Sequence, residues 1–185
     1  DQVRKRRREH RRLGQTLGDG CSIRMVSPSG DFFDPACAIC YADPALTEGI
    51  RKSLIDHPQR VHQGLLGQMI TSRRSLLVPV VRPEMFGTTL SRPHLPFDGQ
   101  LRVESLLGVL LKAGGEPIGT ILMTRGVPGR SYTDDDRVLL EDIASHASIA
   151  ITNSRLLDSA KRELTGGTLF ADVTVISETA KFGDS

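Results

Sequence analysis

Three observations predict a mixed α/β (α+β) fold. Two stretches, 21–41 and 103–125, read as hairpins, a nearly continuous Leu/Val strand lies between them, and the last helical run is far longer than any other element. Apolar residues make up 38% of the 185 and charged residues 25%, enough to build a core and to exclude a wholly disordered chain. No apolar run approaches the length of a membrane span, and no apolar segment follows the basic start to make a signal peptide. The chain begins at Asp1 rather than Met, from which we expect a piece of a longer protein.

Residues 21–27 alternate as a strand, with Ile23, Met25 and Ser27 on one face and Ser22, Arg24 and Val26 on the other. Ser27-Pro28-Ser29-Gly30 is a turn cluster, and 31–41 is expected to return as the second strand. Asp43-Pro44 then opens a helix as N-cap and first-turn proline, with Leu46, Ile50 and Leu54 on one stripe up to His57-Pro58. A second short helix fits 61–71, and 75–81 is a Leu/Val strand stopped by Pro83. The stretch 82–101 carries five prolines or glycines among its pattern breakers (Pro83, Gly87, Pro93, Pro96, Gly99), and irregular loops of that length are often functional. Strands at 103–112 and 117–125 flank Ala113-Gly114-Gly115-Glu116, a short hairpin connection.

The last helix starts at Thr133, an N-cap with an acid at the third helical position, and Gly166-Gly167 supply its expected stop. Leu140, Ile143, Ala144, Ala147 and Ile151 form its apolar stripe. At about 1.5 Å per residue, a run from 133 to 164 reaches about 48 Å, beyond the roughly 30 Å of a small domain, so its far end is expected to project or to meet a partner helix.

The formal net charge of +2 conceals an uneven split. Residues 1–12 hold seven Lys/Arg against Asp1 and Glu9, which leaves 17 bases and 20 acids for the remainder. Such an arm can touch nucleic acid or anionic lipid, but a solvated stretch of linker helix explains it more simply. With no Trp, two Tyr and six Phe, the chain lacks the aromatics of a base-stacking platform. Three cysteines, Cys21, Cys37 and Cys40, do not make a disulfide framework and fit a reducing cytoplasm. Cys37-Ala-Ile-Cys40 has redox-motif spacing, yet it sits in an extended run rather than at a helix start, and no second pair completes a zinc site.

The second half carries specific phrases: Val103-Glu-Ser105-Leu-Leu-Gly-Val-Leu-Leu111, then Pro117-Ile118-Gly119-Thr-Ile-Leu-Met123, then Tyr132-Thr133-Asp134-Asp135-Asp136, and a helix running from Leu139-Leu140 through Ala147 and Ile149-Ala150-Ile151 to Asn153-Ser-Arg155-Leu156. With Gly64-Leu-Leu-Gly67 and Val78-Pro-Val80 upstream, this text closely resembles a GAF domain, the small-molecule-sensing module of bacterial signalling proteins, over about 13–160. The resemblance implies a GAF/PAS-like central antiparallel sheet, with terminal helices on one face and a loop-and-helix-covered ligand cavity on the other. It divides the chain into a basic linker or first-helix remnant (1–12), a sensor body with a long C-terminal helix (13–164), and a tail or start of a next domain (165–185).

The family includes binders of cyclic nucleotides, bilins, haem, oxo-acids and metabolites, and ligand-free dimerising connectors. A bilin site would need a Cys beside a His, which His57 and His62 lack, and the Asn-Lys…Phe…Asp-Glu pattern of the cyclic-nucleotide binders is missing. A haem axial ligand needs one buried His, for which His62, His94 and His146 come into question. A methionine-sulfoxide-reducing relative would use pocket cysteines, a role that the positions of Cys37 and Cys40 match poorly. No calcium loop or catalytic motif is found, so neither a metal site nor a catalytic residue is expected.

Two functions follow. The first is a regulatory sensor that binds an unidentified small molecule and relays it through the C-terminal helix to an effector domain such as a histidine kinase or phosphatase. Its ligand-binding candidates are Arg82, Arg92 and His94 around the loop, with Ser105, Thr120 and Met123 on the sheet. The cofactor, if any, is unknown. The second is a ligand-free connector that dimerises through the terminal helices, by the stripe at 140–151 or its continuation past Asn153. Both readings give a cytoplasmic homodimer with no membrane insertion and no nucleic-acid role.

Overall fold

The computed structural model describes residues 20–35, 38–82, 85, 103–126 and 129–179, with side chains as far as Lys161. Five strands form one sheet: β1 (Gly20–Met25), β2 (Ala38–Tyr41), β3 (Leu76–Val78), β4 (Ser105–Ala113) and β5 (Glu116–Arg125). Their order is β2-β1-β5-β4-β3 and every pairing is antiparallel. Three helices complete the described elements: α1 (Pro44–Asp56), α2 (Gly64–Ser72) and α3 (Asp134–Thr179). The fold is therefore the expected α+β one around a central antiparallel sheet.

Local chemistry explains the element ends. The β4–β5 hairpin turns on Gly114 and Gly115, with φ of 57° and 86°, so both central residues adopt the left-handed conformation that a tight two-residue turn requires. Asp43 caps α1, its Oδ1 accepting from the Ala45 N–H at 2.8 Å, with Pro44 in the first turn. Thr133 and Asp136 form a reciprocal capping box at α3. The Asp136 N–H donates to Thr133 Oγ1 at 3.3 Å, and the Thr133 N–H donates to Asp136 Oδ2 at 2.9 Å.

Four boundaries differ from the sequence expectation. Residues 31–41 do not return as one strand. Val26 and Phe33 form an isolated bridge, Phe32 bridges to Arg60, and only Ala38–Tyr41 pairs along β1. Phe33, 1% exposed, is drawn into the core against Val61, Leu66 and Met69, and this packing pulls the chain off the ladder. Helix α2 starts at Gly64 rather than near Val61, because Val61 is held outside the helix by its N–H bond to the Asp31 carbonyl at 2.9 Å. Strand β3 ends at Val78, since Pro79 has no N–H to continue the ladder. Helix α3 runs through Gly166-Gly167 to Thr179. Glycine costs a helix about 1 kcal/mol relative to alanine but, unlike proline, blocks no hydrogen bond.

The chain divides into two compact units, Asp1–His146 and Ala147–Ser185. In the first, the sheet has two distinct faces, as strand alternation dictates. Leu106 and Leu110 of β4, Leu122 of β5, and Leu76 and Val78 of β3 share one face with Leu65, Leu66 and Met69 of α2. On the same face, Ile39 of β2 packs with Ile50 and Leu54 of α1. The opposite face carries Cys21, Leu107, Val109, Leu111, Ile121 and Met123, each at most 2% exposed. The start of α3 is tied to this second face: the Tyr132 N–H donates to Ser105 Oγ at 2.9 Å, and Ser75 Oγ donates to Glu141 Oε1 at 2.6 Å. Leu140 and Ala144 are each 1% exposed within one chain. That corrects one expectation: this part of the stripe serves the chain's own packing and is not open to a partner helix. In the second unit, Thr152 Oγ1 donates back to the Ser148 carbonyl at 2.8 Å, and Ile149, Leu156 and Leu157 are exposed.

Candidate functional site

The two short helices cover different parts of the first sheet face, α1 over β2 and α2 over β4 and β5. Between their footprints lies a polar seam built from β1 and β5. Arg24 and Thr120 are register partners on adjacent strands, which places their side chains side by side. Arg24 is 3% exposed despite its charge. Its guanidinium lies 5.2 Å from the centroid of the Phe33 ring and donates to Gln59 Oε1 at 3.4 Å. Gln59 is itself buried, with Nε2 donating to the Gln63 carbonyl at 2.9 Å.

Thr120 is wholly buried between Arg24 on β1 and Leu110 on β4, and its Oγ1 has no hydrogen-bond partner among the described residues. A buried hydroxyl left unpaired costs about 1–3 kcal/mol, and such groups commonly mark a place where water or a ligand binds. Four residues along β5, Thr124 continues the seam and hydrogen-bonds Tyr41, which reaches it across Gly20. A Cβ at Gly20 would lie 2.6 Å from Thr124 Oγ1 and run into the Tyr41 ring, so only glycine admits this crossing. Burial pushes the Tyr41 phenol up to about 12, with the Thr124 bond opposing the rise and Cys21 adding to it.

The structure brings together only part of the expected residue set. Thr120 lies in the seam. Arg82 is exposed after β3, where its carbonyl accepts from the Met85 N–H at 3.0 Å. Arg92 and His94 lie outside the described residues, as does most of the 82–101 loop. Ser105 and Met123 point to the other face. Met123 is three residues from Thr120 on one strand, and an odd separation puts the two side chains on opposite sides. Ser105, also wholly buried, spends its hydroxyl as a clip, donating to the Val78 carbonyl at 3.0 Å while accepting from the Tyr132 N–H.

Of the histidines, His62 and His146 are exposed, and His146 Nδ1 lies 3.0 Å from the Asp142 carbonyl. Cys37 is outside the described residues. Among the described residues no cluster of three or more His, Cys, Asp or Glu could hold a metal ion, and no helix is long and apolar enough to cross a membrane. Arg24, Gln59, Tyr41 and Thr124 were not among the sequence candidates. Arg24 did carry a signal, a charged residue inside an otherwise alternating strand.

The sheet thus carries helices over a polar strip on one face and ties a capped terminal helix to the other. The chain belongs to the GAF domain family, whose model matches residues 7–151. GAF domains are regulatory sensor modules of signalling proteins. Similar solved structures include the GAF domain of a phosphoenolpyruvate-protein phosphotransferase from Coxiella burnetii, at 16% identity over 80% of each chain and a TM-score of 0.61. The GAF domain/HD domain protein of Geobacter sulfurreducens is 18% identical, with 80% of this chain and 91% of that chain covered and a TM-score of 0.59. The second GAF domain of DevS from Mycobacterium smegmatis is also 18% identical, over 83% of this chain and 91% of that chain, at a TM-score of 0.54. At these identities the likeness is one of fold.

Proposed function

We propose that this chain is the regulatory sensor domain of a bacterial signal-transduction protein, without catalysis of its own. It binds a small molecule in the seam around Thr120 and relays occupancy through α3 to an effector domain such as a histidine kinase or phosphatase. The single observation that carries this reading is the wholly buried Thr120 hydroxyl, unpaired among the described residues and beside the buried Arg24. Arg82, Arg92 and His94 are proposed to meet the ligand from the loop side.

The relay has a physical route. Strand β5 carries the seam on one face, and its ladder partner β4 carries the Ser105–Tyr132 clip on the other, so a ligand that favours one packing of the first face biases the attachment of α3. Homodimerisation in the cytoplasm belongs to the same proposal, through the exposed Ile149, Leu156 and Leu157 of α3.

The aliphatic packing of Leu106, Leu110, Leu122 and Met69 beside the seam favours the second reading, a ligand-free connector. Native mass spectrometry of the purified chain, with an absorbance spectrum and thermal shifts across a metabolite library, separates the two. A co-purifying molecule, or a shift that Thr120→Val abolishes without lowering the apo midpoint, supports sensing. A clean apo dimer with no shift for any compound establishes the connector.

A further inference from the structure

We propose that Cys21 and Cys40 form a reversible cross-strand disulfide under peroxide, a modification site that ties edge strand β2 to β1. The two residues are direct register partners, so their side chains leave the sheet on the same face. The backbone settles which kind of pair they make. The Tyr41 N–H turns outward to Thr47 Oγ1 at 3.0 Å, and the Met25 carbonyl points away from β5 to accept from the Asp34 N–H at 2.7 Å. Alternation then makes the Cys40 N–H and carbonyl face β1, and those of Cys21 face β2. In such a hydrogen-bonded pair the Cα atoms are about 5.5 Å apart, within the roughly 4.4–6.8 Å span of disulfides. The Cβ atoms of these pairs are also about 5.5 Å apart, wider than the roughly 3.8 Å a disulfide prefers, so closing the bond must draw β2 inward. An edge strand of four residues can make that movement. Strained bonds of this kind are readily reduced, which suits a reversible mark.

The chemistry is asymmetric. Cys40 is partly exposed, while Cys21 is 2% exposed. Burial, with Cys40 adding to it, pushes the Cys21 thiol up to about 12, so peroxide meets Cys40 first. The Cys40 sulfur attacks a peroxide oxygen. An S–O bond forms, the O–O bond breaks, and hydroxide leaves to take up the thiol proton as water, giving a sulfenic acid. The Cys21 sulfur then attacks the Cys40 sulfur. The S–S bond forms, the S–O bond breaks, and the departing hydroxide takes the Cys21 proton as a second water. Two thiols lose two electrons and two protons, and one peroxide becomes two waters. Register holds the partners together, so the second step gains the high effective concentration of an intramolecular reaction.

The consequence reaches the seam. β2 carries Ile39, which packs with Ile50 and Leu54 of α1, and Tyr41, which bonds Thr124. Drawing β2 inward moves the footprint of α1 at one border of the seam. The disulfide itself does not depend on the ligand reading.

The test is peptide mapping of the full chain treated with hydrogen peroxide, its remaining thiols blocked before trypsin. Cleavage at Arg12, Arg24 and Arg51 puts Cys21 in peptide 13–24 and both Cys37 and Cys40 in peptide 25–51. A Cys21–Cys40 bond joins the two peptides, whereas a Cys37–Cys40 bond stays inside one. The joined species should lack two hydrogens, separate on adding dithiothreitol, persist in Cys37→Ser and vanish in Cys40→Ser. Fragment ions of the wild-type species assign the bond directly, so the result does not hang on how the variants fold. An internal 25–51 loop alone, a link that follows Cys37 instead, or free Cys21 after Cys40 has been oxidised would each overturn the proposal.

Discussion

Replacing Ser105 by alanine removes one hydroxyl and leaves two backbone groups behind. Ser105 Oγ is the acceptor for the Tyr132 N–H at 2.9 Å and the donor to the Val78 carbonyl at 3.0 Å, and the residue has no exposed surface. The orphaned N–H costs about 1–3 kcal/mol, and loss of the bond to the carbonyl about 1 kcal/mol more, so Ser105→Ala should destabilise by about 2–4 kcal/mol. For a domain of this size that lowers the melting midpoint by about 4–16 °C. Arg125, which stacks over the Tyr132 ring at 4.1 Å and donates to the Ser131 carbonyl at 3.2 Å, should keep the segment nearby but not rigid. Urea unfolding gives the free energy, and hydrogen exchange at the Tyr132 amide should show at least a tenfold loss of protection. Ser145→Ala, at an exposed position on α3, is the control and should change stability by less than about 0.5 kcal/mol. If Ser105→Ala costs no more than this control, the clip contributes nothing and the route from seam to α3 fails with it.

Two glycines on the central strands should respond differently to alanine. At Gly119 the new Cβ would lie 2.6 Å from the Arg24 carbonyl oxygen, a backbone atom, and Gly119→Ala should cost about 2–4 kcal/mol by urea unfolding. At Gly108 it meets the flexible tip of Met69, with Sδ at 2.7 Å, and the cost should stay near 1 kcal/mol; equal losses would contradict the packing described. Alkaline pH supplies a further check. Cys21 and Tyr41 are acids that the fold keeps protonated, with pKa raised from 9.0 and 10.0 to about 12 in each case. Below about pH 9 their contribution is fully present; as pH rises toward 12 the unfolded chain sheds protons the folded chain keeps, so each group lowers stability by about 1.4 kcal/mol per pH unit. Cys21→Ser should flatten the fall of unfolding free energy that begins near pH 9, and an unchanged slope would show that this thiol is not shielded.

Some of the seam was legible and some was not. Thr120 stood out on a strand whose pattern could be read, and the same alternation already implied that Met123 faces away from it. Ser105 lies in a recognisable strand, yet nothing within a few residues reveals that its hydroxyl clips Val78 to Tyr132, since each partner is 27 positions away. Arg24 and Gln59 meet across 35 positions, and Tyr41 reaches Thr124 only because β1 lies between β2 and β5. Side chains so far apart in sequence become neighbours through strand order, which no short window contains.

The sequence by itself determined what depends on a few consecutive residues. The paired glycines of the β4–β5 turn, the Asp43 cap and the Thr133–Asp136 box each satisfy their own backbone locally, wherever the rest of the chain goes. The GAF resemblance also rests on such contiguous phrases. Only the tertiary structure decided that Phe33 leaves the ladder for the core, that Leu140 and Ala144 are spent on the chain's own packing, and that Cys21 stands opposite Cys40. Each of those outcomes is set by burial of apolar surface and by register between distant strands, and both come into being only when the chain has closed on itself.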